Sequence, residues 1–409
     1  MSRAPRHRPA FSRAAAPLEG VTILQIIPEL EAGGAERTAI DVAAALAEAG
    51  ARALIASQGG RLVAELQSKG GAWIPFPAAT KNPIAMLRNV RRLARIAHEE
   101  GAALIHARSR APAWVGLGAA RALGIPFVTT YHGSYAGRSA PKRLYNSVMA
   151  RGDAVIANSG YTADLIRQTY PAASDRIRVI PRGTDLARFL PSAIGPDRVD
   201  ALRRAWGVAP HERIVLLAGR LTAWKGQRVL VEAAARLKAA GQSDVAYVLA
   251  GDPQGREGYV RELDGLIAAG GLDGIVRRVG HCTDMPAAFM AASVVAVPST
   301  EPEAFGRSAV EAQALGIPVV VSDLGAVPET VVAPPDAPAS ARTGWRVPAG
   351  DAEALADAIG AALSLGASAR DAMALRARAH VERHFSLDTM VADTLDTYIA
   401  LLGRGSESG

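Results

Sequence analysis

The stretch IVLLAGRLTAWKGQRVLVEAAARLKAA, residues 214–240, decides the fold. Ile214–Ala218 is a short continuous apolar run, the pattern of a strand covered on both faces. A tight loop bearing Gly219 and Gly226 follows, and a helix is expected over Gln227–Ala240. Strand, glycine-bearing loop and helix in succession form the repeating half of a parallel βαβ sheet.

The same unit recurs in both directions. Towards the amino terminus, strands are predicted at Val21–Ile27, Ala53–Ala56, Ala103–His106, Phe127–Tyr131, Ala154–Ala157 and Ile177–Ile180, with helical patterns such as Ala35–Ala49, Pro83–Glu100 and Pro141–Arg151. Towards the carboxyl terminus, strands are predicted at Val245–Ala250, Ile275–Val279, Val294–Val297 and Pro318–Ser322. The alternation breaks at Leu190–Asp200, LPSAIGPDRVD, whose prolines and glycine mark an interdomain linker. The expected architecture is α/β: two Rossmann-like, doubly wound domains in tandem, facing a cleft at the carboxyl ends of their strands. Residues 18–189 form the first domain, 190–200 the linker and 201–385 the second. Residues 1–17 read as a disordered basic tail. Residues 386–402 read as a final helix with Ser386 as N-cap, and 403–409 as a polar tail. Ala333–Arg342 reads as a Pro/Ala-rich surface insertion.

Bulk composition agrees with two buried cores. The chain has 409 residues, 49% hydrophobic and 21% charged, too many for one ordinary core and too apolar for disorder. The single cysteine, Cys282, allows no intrachain disulfide and fits a reducing compartment. No apolar run approaches the roughly 20 residues a membrane span needs. Arg3, Arg6, Arg8 and Arg13 precede no apolar stretch, unlike a secretory signal, so a cytoplasmic protein is expected. The net charge of +7 permits attraction to phosphates, anionic lipid or nucleic acid without choosing among them. Arg88, Arg91, Arg92 and Arg95 share one face of a helix beginning near Pro83. That face reads either as plain solvated surface or as a peripheral contact with an anionic membrane or a phosphorylated lipid acceptor.

Several chemistries lack their motif. There is no G-x-G-x-x-G after the first strand, no P-loop, no D-x-D metal clamp and no H-E-x-x-H, and no cofactor or metal is expected. Three phosphate-holding elements stand at strand ends instead. Gly33 and Gly34 open a helix, whose free N–H groups and dipole suit an anion. Arg220 and Lys225 bracket one tight loop, and a departing diphosphate needs such converging positive charge. In Ser299–Glu311 a loop carrying Glu303 runs into a helix carrying Glu311, with the N–H groups of Phe305, Gly306, Arg307 and Ser308 available to an anion or to sugar hydroxyls.

These motifs resemble glycosyltransferase family 4, a large retaining family of GT-B fold. The resemblance rests on G-G-A-E-R at 33–37, Y-H-G at 131–133, N-S at 158–159, I-P-R-G-T-D at 180–185, G-R-L-T-A-W-K-G at 219–226, G-D-P at 251–253 and, above all, E-P-E-A-F-G-R-S-A-V-E at 301–311. It implies that Arg220 and Lys225 hold the donor diphosphate, aided by the backbone of Gly33, Gly34 and Gly306–Ser308. It implies that Glu303 contacts the transferred sugar and Glu311 the ribose, that His132 lies near the donor sugar, and that Gly280–Thr283, with His281 and Cys282, lies by the base. The last helix would cross back to the first domain. Arg182 departs from the family's usual asparagine; it is expected either to meet an anionic acceptor or phosphate, or to play a structural part.

The function implied is retaining, metal-independent transfer of a sugar from a nucleotide-diphosphate sugar to a glycan or glycolipid, in lipopolysaccharide or other cell-surface glycan synthesis, with no nucleic-acid partner. The alternatives are a nucleotide-sugar epimerase or phosphorylase of the same fold, or a non-catalytic sugar-nucleotide-binding subunit. Arg108, Arg110, Arg138, Lys142 and Arg143 add to a first domain attractive to an anionic acceptor.

Overall fold

The computed structural model describes residues 18–31, 33–133 and 139–406; the tail read at 1–17, and Arg138, lie outside them. The chain separates into two units, one comprising Met1–Gly183 with Leu387–Gly409 and the other Thr184–Ser386.

The first unit alternates strand and helix: β1 Thr22–Ile26, α1 Gly34–Glu48, β2 Arg52–Ser57, α2 Val63–Ser68, β3 Ala72–Pro75, α3 Pro83–Glu99, β4 Ala102–Ala107, α4 Arg110–Leu123, β5 Phe127–Tyr131, α5 Ala140–Asn146, β6 Ala154–Ala157, α6 Gly160–Thr169 and β7 Ile177–Val179. The strands form one sheet in the order β3-β2-β1-β4-β5-β6-β7, with every neighbouring pair parallel. Successive side chains leave opposite faces, so β1 feeds two cores. Leu24 and Ile26 pack with Leu93, Val115 and Ala119, whereas Ile23 packs with Ile40, Val42 and Leu46. The order reverses between β1 and β4, and such a switch point leaves a crevice at the strands' carboxyl ends.

The second unit holds α7 Pro196–Ala205, β8 Arg213–Ala218, α8 Gln227–Ala239, β9 Val245–Ala250, α9 Glu257–Ala269, β10 Val276–Gly280, α10 Met285–Ala291, β11 Val294–Val297, α11 Arg307–Ala314, β12 Val319–Ser322, β13 Trp345–Val347, α12 Ala352–Leu363 and α13 Ala367–His384. Its sheet is also parallel, ordered β10-β9-β8-β11-β12-β13, with its switch point between β8 and β11.

Differences from the sequence reading lie at edges and boundaries. The strands that went unread, β3 and β13, each lie at one edge of a sheet; AWIP and WRV are short and mostly half-exposed, so neither shows a buried apolar run. Residues 190–200 do not stand apart as a linker. Phe189 and Ile194 are buried in the second unit's core, and Pro196 opens α7, because proline's fixed φ suits the first helical turn. The units divide at Gly183, and the second closes on itself where the Thr184 N–H donates to the Phe385 carbonyl at 2.8 Å. The last helix, α14 Leu387–Ser406, runs beyond Leu402 and belongs to the first unit. Its Met390, Val391, Leu395 and Tyr398 fall at helical spacing and are buried in the same core as Ile40 and Leu46 of α1. The insertion at 333–342 is mostly exposed and is tied down by Asp336, which pairs with Arg346 at 2.6 Å.

Candidate functional site

In the second unit the loops after β8 and β11 lie against each other, and Gly226 is the reason. It sits at φ +75, and a Cβ there would fall 1.8 Å from the Pro298 carbonyl oxygen. Only glycine permits both that backbone and that approach. The Thr300 N–H then donates to the Trp224 carbonyl at 2.8 Å. With the loops so joined, Lys225 Nζ lies 2.9 Å from Glu303 Oε1 and 4.5 Å from the centre of the Trp224 ring. The buried Ser299 hydroxyl donates to the same carboxylate oxygen. Both partners use Oε1, so Oε2 of Glu303 stays available to a hydroxyl donor. From the other side, Gly325 (φ +68) lets the chain after β12 close on the Glu303 backbone, whose carbonyl accepts from the Ala326 N–H at 2.9 Å.

Arg220 leaves the end of β8 with an exposed side chain, while its carbonyl is held by the buried Gln227 amide at 2.9 Å. Gly306 caps α11 at φ +97, and the Ser308 hydroxyl anchors the helix start to the Ala218 carbonyl at 3.1 Å. Glu311, one turn further in, is buried, and its Oε1 accepts from Arg307 at 2.6 Å. The Phe305 side chain does not face a ligand. It is buried edge-on against Phe385 with ring centres 5.6 Å apart, so only its backbone can serve the site. After β10, His281 is exposed and Cys282 half-buried, its thiol pushed up by burial and turned towards the Asp284 carbonyl.

In the first unit, Gly33 and Gly34 open α1 as expected, but the anion position is already filled. The Glu36 carboxylate accepts from the Gly33 N–H, so a phosphate would have to displace it. His132 follows β5, and its Nδ1 lies 3.2 Å from Arg182 Nη2. A guanidinium only donates, so Nδ1 is the acceptor and the ring proton belongs on Nε2. Burial first, then the charges of Arg182 and Arg108, holds the imidazole well below its ordinary pKa. His132 is therefore neutral, and its Nε2–H, unpartnered among the described residues, can donate to a hydroxyl. Arg182, for which two roles were open, contacts both the ring and the carbonyl of His132.

The structure thus joins Lys225 to Glu303 and Arg307 to Glu311 at neighbouring loops of one sheet. Sequence reasoning assigned no role to Ser299, Gln227 or Gly325, nor to the buried Asn158, and read Arg108 only as one of several cations attractive to an anionic acceptor, without its burial. Ser299 and Gly325 had no signal, because each acts through a loop distant in sequence. Arg108 had one, as a cation immediately after an apolar strand. Among the described residues no three His, Cys, Asp or Glu side chains group as metal ligands. On α3, Arg88, Arg91, Arg92 and Arg95 are all exposed, alongside Ile84 and Leu87, which are 66% and 64% exposed.

Comparison with known proteins adds to this geometry. The profile described as Glycosyltransferase Family 4 matches residues 32–188, and that described as Glycosyl transferases group 1 matches residues 199–380. A glycosyltransferase from Rickettsia africae is 33% identical, with a TM-score of 0.85 over 94% of this chain and 99% of its own. The Anabaena protein HepE, solved in complex with UDP-glucose, is 28% identical, with a TM-score of 0.77 over 92% of this chain and 99% of its own. The D-inositol 3-phosphate glycosyltransferase of Salinispora tropica is 33% identical over 72% of this chain, and the match spans 63% of that relative's length. For the corresponding protein of Nocardia farcinica the figures are 36%, 62% and 54%.

Proposed function

The chain belongs to glycosyltransferase family 4, group 1, with two parallel Rossmann-like sheets of GT-B type, and we propose that it transfers a glycosyl group from a nucleotide-diphosphate sugar to an anionic acceptor, with retention of configuration. The observation that carries this reading is the Lys225–Glu303 pair at the carboxyl ends of β8 and β11. A cation for the leaving phosphate and a carboxylate for the sugar are held in one rigid unit. Lys225 and the exposed Arg220 stabilise the negative charge that develops on the diphosphate as the glycosidic bond breaks. Both cations come from the chain, so the proposed chemistry requires no metal ion. The Oε2 of Glu303 accepts from a hydroxyl of the transferred sugar, that of Glu311 accepts from the ribose, and His132 Nε2–H donates to a hydroxyl. The acceptor hydroxyl attacks the anomeric carbon on the face the phosphate leaves, and that phosphate takes its proton.

The acceptor named for the Salinispora and Nocardia relatives is a phosphorylated polyol. A glycan or glycolipid carrying phosphate, as in lipopolysaccharide or other cell-surface glycan precursors, presents similar chemistry. The exposed row of Ile84 and Leu87 beside Arg88, Arg91, Arg92 and Arg95 supports a peripheral contact at an anionic membrane, since apolar insertion and electrostatic attraction act together there.

Incubation with UDP- and GDP-sugars, followed by mass spectrometry of the released sugar, tests the reaction. Slow donor hydrolysis that Lys225→Ala abolishes is expected; no consumption of any donor, with or without phosphorylated acceptors, would refute catalysis. Co-sedimentation with vesicles containing anionic lipid should fall with salt and with Arg88→Glu/Arg91→Glu. Binding that neither change affects would remove the membrane contact.

A further inference from the structure

A second polar feature of the first unit lies where β4, β5, β6 and β7 end. Arg108 follows β4 and is 2% exposed. Its Nε donates to Gln25 Oε1 at 2.6 Å, and the Tyr398 hydroxyl also lies in hydrogen-bonding range, but its Nη2 has no partner among the described residues. A small cavity adjoins it, lined by Arg108, His132, Asn158, Arg182, Thr38 and Thr130 among others, none of them acidic. The His132 Nε2 and both side-chain polar atoms of Asn158 are likewise buried without partners among the described residues. Thus two guanidinium groups, a neutral imidazole and an amide border a space with no carboxylate among the described residues on its wall.

This arrangement is costly as it stands. A buried donor without a partner loses its full desolvation energy, and a buried charge loses more. Asp41 on α1 exerts an attractive field on Arg108, but it does not line the cavity and is ion-paired with Lys69 at 3.7 Å. The positive field is strong enough that Arg108 contributes to holding both His106 and His132 well below their ordinary pKa, behind the larger effect of burial. Arg108 cannot shed its charge. An anion compensates the site where a water only partly can. The cavity is narrow, with room for about one water-sized group. A guest can therefore place only an oxygen-bearing tip in the cavity, with the rest of the molecule outside it.

We propose that the cavity bounded by Arg108, His132, Asn158 and Arg182 receives an oxygen of a phosphate monoester carried by the acceptor. The assignment rests on the transferase reading above and deepens it: the first unit selects phosphorylated acceptors by this oxyanion and fixes them beside the His132 Nε2–H. Arg108 Nη2 and the Asn158 amide supply hydrogen bonds, and Arg182 supplies further charge, while the His132 Nε2–H stays free for a hydroxyl.

Calorimetric titration of the full chain with inositol 3-phosphate, inositol, inorganic phosphate and, separately, UDP tests this. Inositol 3-phosphate should bind at least tenfold more tightly than inorganic phosphate, and free inositol should give no heat. Arg108→Gln should weaken inositol 3-phosphate at least tenfold and leave UDP unchanged. Arg182→Asn, at a half-buried position, should weaken it in the same direction and serves as the second variant if Arg108→Gln does not fold. Unchanged affinity in both variants overturns the site. Inorganic phosphate binding as tightly as inositol 3-phosphate overturns its assignment to the acceptor. Loss of UDP binding from the wild-type chain, with inositol 3-phosphate still bound, would instead strike the donor reading and leave this site standing.

Discussion

Lys225 and Arg220 are both assigned to the leaving phosphate, yet they should fail in different ways when removed. Lys225 is 18% exposed and pairs with a Glu303 side chain that is 11% exposed; Arg220 projects into solvent without a side-chain partner among the described residues. With an effective dielectric of about 20, unit charges 2.9 Å apart attract by about 6 kcal/mol, and the cost of withdrawing both from water cancels most of that. A net coupling of about 1–3 kcal/mol is expected from a double-mutant cycle of Lys225→Ala and Glu303→Gln. Lys225→Ala leaves a mostly buried carboxylate with only Ser299, so about 2 kcal/mol of stability should go. For a unit of this size that is a fall of about 4–8 °C in Tm. Arg220→Ala should shift Tm by no more than about 2 °C, because an exposed unpaired side chain contributes within about 0.5 kcal/mol. Both substitutions should cost about 100- to 1000-fold in kcat with a nucleotide-sugar donor, the usual size of losing one charge-stabilising group. Differential scanning fluorimetry on the apo protein and steady-state kinetics supply the two readouts. Equal Tm values for the two variants would refute the buried-pair argument, and full turnover by Arg220→Ala would refute its role at the phosphate.

Gly226→Ala should destabilise far more than Gly241→Ala. Both sites have positive φ and cost about 1–2 kcal/mol there, but only at Gly226 does the new Cβ meet backbone, and its kcat should fall as the Lys225 loop is pushed from Pro298; equal Tm losses would show that the loops separate freely. Tyr398→Phe keeps the edge-on packing with His106 but strands His106 Nδ1, now 2.6 Å from the hydroxyl, so a loss of about 1–3 kcal/mol is expected in urea unfolding; a neutral result would place a water in that contact. Stability should also fall with acid. His380 is held down to about 4, mainly by burial, and His106 and His132 also lie well below 6.5. Each binds a proton more readily unfolded, so its contribution is full above about pH 6.5 and is lost as pH drops towards the folded value, by at most about 1.4 kcal/mol per pH unit per group. Denaturant midpoints that stay flat from pH 7 to pH 5 would contradict this.

Much of the architecture was readable because buried parallel strands leave a strong signature. Phe127–Tyr131, Ala154–Ala157, Val245–Ala250 and Val294–Val297 are strands over the same residues the apolar runs marked. The edge strands β3 and β13 escaped because a strand with one neighbour needs no continuous apolar run, although β7 and β10, the opposite edges, were read. The 190–200 segment misled for a related reason: proline and glycine signal a turn or helix start equally well, and only the burial of Phe189 and Ile194 shows where the chain has gone. At the site, sequence supplied the residue types and their loops. It could not show that Phe305 turns inward or that Glu36 fills the Gly33 position.

The sequence by itself determined two sheets of parallel strands, a cationic turn at 219–226 and paired glutamates at 303 and 311. Those are local matters: apolar runs, loop glycines and residue spacing are written in neighbouring positions. Only the tertiary structure decided that Lys225 meets Glu303 at one oxygen and leaves the other open, that His132 is a neutral donor held by Arg182, and that Arg108 lies buried beside a cavity whose lining includes no carboxylate among the described residues. Each depends on loops brought together by strands adjacent in the sheet but far apart in the chain, and protonation follows from what those neighbours exclude.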